Sequence, residues 1–550
     1  MLLCGRAANG QVVPPAVDAG QVPGHFKPLA QPLALPRAGT IQLPSTVAPS
    51  NASNVTLTVR RFEIVGSTVY REPEFASLTQ PLLHKTIPLA GVYELAARIT
   101  ALYGKDGYVL SRAIVPPQEF SGHGAVVRIE VLEGYVDDVI WPEGLREKYR
   151  DFFSDYGARI TARRPVNIKT IERYLLLASD LPGLRFSSTF KASKTHQGAS
   201  TLFVTATEKH LSGEASIDNR GSDGRGPWEA QVSATASNLL GHHEEMAIKY
   251  ATAVPSMNEL QFVEGSWKQV LNSEGLTYVF TGSYNNGVPG LPPLEAINYA
   301  STGTVFTSML AYPVIRSRDE NLTLSGTVFA EDVKSTALST PFTDDRLRGG
   351  RFGLVYDNAD TLGGTDLVQL TLSHGVDGLG STETGDPLAS RAGGRVDFTK
   401  VELLATRTQS LSRAIPGVSV YGALFGQYTQ DPLLVVEQCS YGGKTFGRAF
   451  DPSTLTGDTC VTSLAELRYD LTLPASVGLN AQFYSFIDDG YVNRNTVSLG
   501  TPKEQWASSA GAGLRLNWTD RATLGIEGAK EIAGDVELGW RGHAEFTVHY

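Results

Sequence analysis

The chain has 550 residues, a net charge of -10 and 56 glycines, but only 4 methionines and 3 cysteines. This length exceeds one ordinary domain, and the acidic balance argues against a nucleic-acid-binding protein. No run of about 18 apolar residues occurs, which excludes a membrane-spanning helix. A membrane barrel is not excluded, because its strands are short and alternate apolar with polar residues.

Residues 1–55 are rich in Pro, Ala, Gln and Val, and they show almost no charge and no sustained periodicity. This composition predicts a disordered or extended linker. The first five residues are too short for the apolar core of a signal peptide, so we expect a start further upstream or a segment already removed. Cys4 lacks the small residue expected before a lipidated cysteine, which argues against a lipid anchor.

Residues 56–135 predict a small α+β domain with the element order β-α-α-β-β. A strand begins near Leu57, and two further strands end near Val115 and Leu132. Between them, apolar residues recur at helical spacing at Val92, Leu95, Ile99 and Leu102.

Residues 136–212 predict a second domain of the same kind. Val139 and Ile140 begin a strand, and Asn167 is a predicted helix N-cap. The apolar face of the helix consists of Ile168, Ile171, Leu175 and Ala178. A strand over 201–207 completes the sheet.

Residues 213–550 alternate apolar and polar residues with a period of two. In the last segment one face carries Trp540, Gly542, Ala544, Phe546, Val548 and Tyr550, and the other carries Arg541, His543, Glu545, Thr547 and His549. Charges at every second position would disrupt a soluble core, whereas a water-filled lumen accepts them. At about 10 residues per strand plus turns and loops, this region predicts an antiparallel transmembrane barrel of about 16 strands.

A long loop over about 435–460 interrupts this pattern with glycines, a proline and a lone arginine that no strand needs. Five strands are predicted after it, near 461–473, 476–488, 504–519, 521–532 and 537–550. The loop therefore falls between strands 11 and 12.

Arg448 in this loop has a predicted partner on the strand 476–488. Tyr484, Phe486 and Asp488 share the lumen phase of that strand. A guanidinium reaching in from the loop would form a shielded, bidentate pair with Asp488 and hold the loop in one conformation. The alternative is a solvated Arg448 and an Asp488 that is one of many lumen charges.

Together these two motifs resemble the TpsB transporters, the outer-membrane half of two-partner secretion systems. That family has a (V/G)-R-G-(F/Y) motif in a sixth extracellular loop folded into the lumen, and an F-x-D-x-G motif on the barrel wall. The resemblance makes Phe486, Asp488 and Gly490 the wall motif. The resemblance also assigns a gating-loop motif to Gly443, Gly447, Arg448, Phe450, Asp451, Gly457 and Asp458. Ala449 departs from the motif, and it would cost about 1 kcal/mol if this position required positive φ.

The two α+β domains resemble the polypeptide-transport-associated (POTRA) domains of the same family. The signature residues are Gly107, Tyr108, Pro116, Gln118, Glu133 and Gly134 in the first domain, and Pro165, Glu172, Arg173, Pro182 and Gly183 in the second. Two such domains favour TpsB over relatives in the barrel-assembly machinery. TpsB proteins often carry an N-terminal plug helix, for which the prolines of residues 1–55 leave little room.

The resemblance implies a bacterial outer-membrane pore with its POTRA domains in the periplasm. These domains would capture the N-terminal secretion domain of a large exoprotein, by strand addition to an exposed sheet edge, and the barrel would pass it unfolded to the surface. The POTRA domains could instead be spacers. Two rival functions are an outer-membrane insertase of the same superfamily and a passive porin or receptor.

Cys439 and Cys460 flank the loop. In an oxidising compartment a disulfide would close a ring of about 22 residues and add about 3 kcal/mol in the chain-entropy model. The alternative is two unpaired thiols.

Nothing in the sequence indicates an enzyme, a cofactor or a metal. His242, His243, Glu244 and Glu245 lie in a predicted hairpin turn, where adjacent side chains do not converge on one ion. The chain ends with Phe546, Val548 and Tyr550 on the lipid face, which resembles the C-terminal signal recognised by the barrel-assembly machinery. Expected partners are thus an exoprotein, that machinery and outer-membrane lipid, and no nucleic acid.

Overall fold

The computed structural model describes residues 14–35, 48–120, 124–196, 198–471, 473–497, 501–519, 521–537 and 539–550. The described residues form two compact units, one from 14–35, 209–271 and the described part of 275–550, and the other from the described part of 48–208 and from 272–274. Cys4 lies outside the described residues, so the absence of a lipid anchor stays a prediction.

Residues 14–35, called the strap below, belong to the barrel unit. Two 3-10 turns, Pro15–Val17 and Ala19–Gln21, lead into the one-turn helix α1 (Val22–His25). Because Val17, Ala19, Val22 and Ala34 are buried, the prediction of a disordered segment is wrong for residues 14–35.

The first α+β domain has a four-stranded sheet of order β2-β1-β4-β3, in which β1 and β4 are parallel. Its elements are β1 (Thr56–Val65), α2 (Ala76–Thr79), β2 (Thr86–Pro88), α3 (Leu89–Lys105), β3 (Arg112–Ile114) and β4 (Ala125–Leu132). The α3 face predicted from apolar spacing packs on the sheet, with Val92, Leu95 and Ile99 fully buried.

The second α+β domain has a three-stranded sheet of order β5-β7-β6. Its elements are β5 (Tyr135–Ile140), α4 (Glu143–Arg146), α5 (Arg150–Thr161), α6 (Ile168–Ser179), β6 (Leu184–Ala192) and β7 (Ala199–Glu208). The Asn167 side chain accepts a hydrogen bond from Lys169 N at the start of α6, as a helix N-cap does. Helix α5 was not predicted, although Phe152, Tyr156 and Ile160 are buried at helical spacing.

A closed barrel of 16 antiparallel strands follows, which confirms the predicted fold class. Before the long loop its elements are β8 (Leu211–Asp218), β9 (Trp228–Ser237), β10 (Glu244–Val254), β11 (Gln261–Val270), β12 (Thr277–Gly287), α7 (Pro292–Glu295), β13 (Ala300–Arg316), β14 (Glu320–Ala337), β15 (Thr340–Ala359), β16 (Gly364–Gly375), β17 (Thr399–Ser410) and β18 (Val418–Thr429). The loop contains β19 (Cys439–Tyr441) and β20 (Leu455–Gly457), which pair with each other. The last five barrel strands are β21 (Thr459–Leu471), β22 (Leu479–Asn493), β23 (Glu504–Trp518), β24 (Ala522–Gly534) and β25 (Trp540–His549).

Barrel closure joins the last strand to the first. Glu545 to His549 of β25 pair with Asp218 to Glu214 of β8 in antiparallel register. This pairing removes the free strand edges that a lipid environment cannot satisfy. Below, the proximal end of the barrel is the end at which β8 begins, and the distal end is the end at which β8 finishes.

Side chains alternate between the lumen and the outside of the barrel. On β22, Tyr484 and Phe486 are buried at 7% and 5% exposure, whereas Phe483 and Ile487 are 49% and 44% exposed. The predicted phase of this strand is therefore right, but its end is wrong, because β22 continues five residues beyond Asp488 to Asn493. Phe546, Val548 and Tyr550 all point outward and are exposed.

Candidate functional site

The loop between β18 and β21, residues 430–458, starts at the distal end and folds into the lumen. Tyr441, Phe450 and Leu455 are buried in a cluster with Leu464, Tyr484 and Phe486 of the wall. A disulfide joins Cys439 to Cys460 at the base of the loop, with the Cα atoms 6.4 Å apart. The open alternative of two unpaired thiols is therefore not what the structure has.

The tip of the loop is a tight turn held by its own main chain. Gly442 N donates to Phe446 O at 3.1 Å, Gly443 N donates to Phe450 O at 3.1 Å, and Phe450 N donates to Gly447 O at 2.8 Å. Positive φ falls on Gly447 (76°) and not on Ala449. Alanine is thus tolerated at the position where the family motif has glycine, and the predicted cost of about 1 kcal/mol does not arise.

Arg448 is buried at 5% exposure, but its guanidinium does not pair with Asp488. Nη2 lies 2.8 Å from Glu466 Oε2 on β21, and Nη1 lies 3.1 Å from Glu527 Oε2 on β24. The predicted bidentate pair with Asp488 is wrong. The carboxylates of Glu466 and Glu527 bind the two terminal nitrogens of the guanidinium instead. Arg448 therefore joins two strands through one side chain.

Asp488 meets the arginine motif through the main chain. Its carboxylate accepts Arg448 N at 3.3 Å and Tyr441 OH at 2.9 Å, and it also accepts Ser509 Oγ. Asp488 has no exposed surface. It therefore fixes the position of the turn, while Glu466 and Glu527 take the positive charge.

Phe486 and Gly490, the other two residues of the wall motif, form the surface on which the loop packs. The Phe486 ring lies under the Arg448 guanidinium, with 4.2 Å between Cζ and the ring centroid, a cation–π distance. A Cβ on Gly490 would lie 2.2 Å from Cγ of Tyr441. Only glycine at this position lets the Tyr441 ring pack against β22.

Asp451 and Asp458 hold the flanks of the loop. Asp451 pairs with Arg541 of β25. The buried Asp458 carboxylate accepts Leu433 N at 2.9 Å and Asn495 N at 2.7 Å, and it pairs with Arg391. Asp458 thus links three distal loops, those before β17, before β21 and after β22.

Several residues of this site were not predicted. Glu466 and Glu527 bind Arg448, the Tyr484 hydroxyl donates to Glu527 at 2.8 Å, and His543 Nε2 donates to Arg448 O at 2.9 Å. All lie in the lumen phase of their strands, so periodicity marks them as inward-facing. Their spacing along the sequence carries no signal that they meet.

Comparison with known families decides the identity. The profile of the family described as haemolysin secretion/activation protein ShlB/FhaC/HecB matches residues 198–516. The profile of the POTRA domain, ShlB-type, matches residues 57–134. The chain belongs to the ShlB/FhaC/HecB family. Members of this family are TpsB outer-membrane transporters with periplasmic POTRA domains.

Two relatives and a solved structure agree with this assignment. The chain is similar to the outer membrane transporter CdiB of Dickeya dadantii, with 22% identity over 87% of this chain and 85% of the relative. It is similar to the hemolysin transporter protein HpmB of Proteus mirabilis, with 23% identity over 73% of this chain and 70% of the relative. CdiB from Escherichia coli has the same fold, with a TM-score of 0.71, 18% identity and 94% of each chain covered.

Family membership orients the barrel of this TpsB transporter. The POTRA domains precede β8 in the chain and are periplasmic, so the proximal end faces the periplasm and the distal end faces the outside. Counted from β8, the loop 430–458 is then the sixth distal connection.

In the first POTRA domain, Glu133 organises the loop after β1. Glu133 Oε1 accepts Thr68 N at 2.7 Å, Val69 N at 3.0 Å and Tyr103 OH at 2.8 Å. Burial raises the pKa of Glu133, but the hydrogen bonds from Thr68, Tyr103 and Val69 outweigh it, and the pKa lies below its ordinary value.

Gly107 and Gly134 lie where the two POTRA domains meet. Ile168 N donates to Gly107 O at 2.8 Å, and Val166 N donates to Gly134 O at 3.1 Å. Asn167 Nδ2 adds a bond to Asp106 O at 2.8 Å. Two signature glycines of the first domain are therefore hydrogen-bonded to residues 166 and 168 of the second, next to Pro165 in the sequence.

The remaining signature residues have local structural positions. Gln118 accepts Arg128 N at 2.8 Å and donates to Arg128 O at 2.8 Å and to Pro116 O at 3.2 Å, so its amide extends the sheet beside β4. Tyr108 packs edge-on against Tyr103. Glu172 and Arg173 lie on α6, and Pro182 and Gly183 lie in the turn after it.

No group of three or more His, Cys, Asp or Glu side chains in the described ranges is arranged to hold a metal ion. Glu244 instead accepts Leu240 N and His242 N within the β9–β10 turn. No helix among the described residues is long and apolar enough to cross a membrane.

Proposed function

We propose that this chain exports a partner exoprotein across the outer membrane through the lumen of its barrel. The observation that carries the proposal is the sixth loop, which folds into the lumen and is held on the wall by Arg448, Glu466 and Glu527. Family membership supports it, as do the relative named as an outer membrane transporter, matched over 87% of this chain, and the one named as a hemolysin transporter, matched over 73%. The partner enters from the periplasm and leaves at the distal end.

The POTRA domains capture the partner by strand addition. Among the described strands, β6 pairs only with β7, so one edge of nine residues is without a strand partner. The other edge strands are shorter, with three residues each in β2 and β3 of the first domain and six in β5 of the second. An unpaired edge binds an extended segment through its main chain and makes little demand on sequence. We therefore assign capture to β6 of the second domain.

Passage requires the loop to change conformation, because Tyr441, Phe450 and Arg448 lie in the lumen. The contacts of Arg448 with Glu466 and Glu527 hold the resting loop in place. When the partner passes, these contacts are lost or replaced by others, and the loop can move. Folding of the partner outside the cell supplies the direction of transport, because no nucleotide is hydrolysed at this membrane.

The last strand indicates two further partners, outer-membrane lipid and the barrel-assembly machinery. Phe546, Val548 and Tyr550 are 42%, 42% and 84% exposed on one face of the last segment. Such a face contacts outer-membrane lipid. It also presents the C-terminal aromatic residue to the barrel-assembly machinery during insertion.

The test is secretion of a co-expressed exoprotein, encoded beside this gene, at matched barrel levels. We expect wild type to export it and Arg448→Ala to lose most export. Arg413→Ala is the matched control, because Arg413 is exposed in the proximal turn between β17 and β18. If wild type exports nothing and Arg448→Ala alters only pore conductance, the export function is wrong.

A further inference from the structure

We propose that the lumen wall carries a binding track for the main chain of an extended polypeptide, which the strap occupies at rest and the exported protein uses during passage. The inference rests on the proposed export function, since it needs a polypeptide that crosses the lumen. It adds a binding site and its ligand, namely peptide carbonyl and amide groups.

At the distal end, two wall side chains bind carbonyl groups of the strap. Arg225 Nη2 donates to Val17 O at 2.6 Å, and Asn285 Nδ2 donates to Ala19 O at 3.1 Å. Arg225 lies in the loop between β8 and β9, and Asn285 lies near the distal end of β12. Val17 and Ala19 belong to two successive 3-10 turns, and Asp18 between them has an extended backbone (φ -73°, ψ 129°) that leaves both carbonyls to the wall.

At the proximal end, the wall binds amide groups of the strap. Ala34 N donates to Asp357 Oδ1 at 2.6 Å, and Leu35 N donates to Arg318 O at 2.9 Å. Asp357 is 2% exposed and lies near the proximal end of β15. The strap therefore has main-chain anchors at both ends of the lumen.

These four bonds do not depend on the side chains of the strap. Val17, Ala19, Ala34 and Leu35 have aliphatic side chains that take no part in them, so most other residues would be held equally well. Contacts that do need the strap sequence lie between these anchors: Gln21 Nε2 donates to Val435 O at 2.7 Å, and His25 Nε2 lies 2.7 Å from Glu229 Oε2. The wall thus has general anchors for a peptide main chain, and the strap adds its own specific ones.

The general anchors also have unused hydrogen-bonding capacity. Among the described residues, Nε and Nη1 of Arg225 and Oδ1 of Asn285 have no hydrogen-bond partner. Both side chains are deeply buried, at 4% and 1% exposure. Leaving buried donors and acceptors unpaired is costly. A passing chain in a slightly different register supplies the carbonyl and amide groups that fill them.

The test separates the wall from the strap in the full-length protein. The double variant Gln21→Ala/His25→Ala loosens the strap and leaves the track intact, whereas Arg225→Ala and Asn285→Ala each weaken both. We expect all three variants to raise channel open time in planar lipid bilayers. Export of the partner should stay at or above wild type in the strap variant and fall about tenfold in each wall variant, the effect of losing a hydrogen bond to a buried group.

A second measurement does not depend on how well these variants assemble. A photo-crosslinking amino acid replaces Asn285, or lipid-facing Phe280 on the same strand as control, and the partner is stalled in the pore by a fused, disulfide-locked domain. We expect a crosslink from position 285 to the partner and none from position 280. Wild-type export without a crosslink from position 285, or wall variants that export like the strap variant, overturns the track alone. Absence of wild-type export overturns the export function on which it rests.

Discussion

Replacing Arg448 by alanine tests which carboxylates hold the sixth loop. Arg448 and Glu466 are 5% and 1% exposed, and removing one partner of a buried pair costs about 3–5 kcal/mol. Glu466 keeps Arg468 at 2.6 Å and Arg515 at 2.8 Å after the change, so we expect the lower end of that range. About 3 kcal/mol corresponds to a rise of about a hundredfold in the population of the undocked loop.

A double-mutant cycle shows which carboxylate supplies the stabilisation lost in Arg448→Ala. Hydrogen exchange of the amides of residues 442–450 gives the free energy of loop opening for Arg448→Ala, Glu466→Ala and the double variant, and for the same cycle with Asp488→Ala. We expect a coupling energy of about 1.5–3 kcal/mol between Arg448 and Glu466. Coupling to Asp488 should stay below about 1 kcal/mol, because its direct bond is to Arg448 N, which alanine retains. Stronger coupling to Asp488 than to Glu466 refutes the reasoning, and Arg413→Ala should leave exchange unchanged.

Three further predictions concern the loop and the first POTRA domain. Gly490→Ala should displace the Tyr441 ring and raise exchange of the loop at least tenfold, because no space exists for a methyl group there; an unchanged exchange rate contradicts this packing. Cys439→Ser should lower the free energy of opening at the base of the loop by about 3 kcal/mol, because the disulfide is lost. The amides of β19 should then exchange faster, at the rate that the wild-type protein shows in reductant. Because the folded pKa of Glu133 is lowered, its stabilisation is present above the ordinary value of 4.5 and lost as pH falls through the folded pKa. Glu133→Gln should therefore increase exchange in residues 66–70 at pH 7 and have less effect towards pH 3, whereas an effect that grows in acid contradicts the assigned bonds.

The architecture of the barrel was predictable because its physics is local. Alternation along β22 and β25 follows from lipid on one side and water on the other, and it fixed the phase of Tyr484, Phe486 and Asp488. Counting such segments placed the long loop between strands 11 and 12, where the structure has it. Glycines and a proline within the loop marked it as a segment that no strand needs.

The partner of Arg448 was not predictable from the same information. Periodicity says which side chains face the lumen, but it does not say which of several lumen carboxylates lies within reach of one guanidinium. That depends on strand tilt and register, through which Glu466 of β21 and Glu527 of β24 come together from 61 positions apart in the sequence. The family motif pointed to Asp488, and the structure places its carboxylate on the main chain of the motif.

The strap shows a second limit. Low charge and low periodicity predicted a disordered or extended linker, because a chain that cannot bury its own apolar surface has the same composition. Val17 and Ala34 are buried because the barrel around them supplies the burial and the hydrogen-bonding groups. The sequence of residues 14–35 alone does not show that the barrel surrounds them, so their burial could not be predicted from it.

The most direct measurement of the central claim uses liposomes that contain only this full-length protein. An unfolded N-terminal fragment of the partner is added outside, on the side of the POTRA domains, and external protease then removes what has not crossed. We expect a soluble, protease-protected fragment inside the vesicles, and much less of it with Arg448→Ala. A fragment that stays outside, or that is recovered inserted in the bilayer, contradicts export and indicates a pore or an insertase instead.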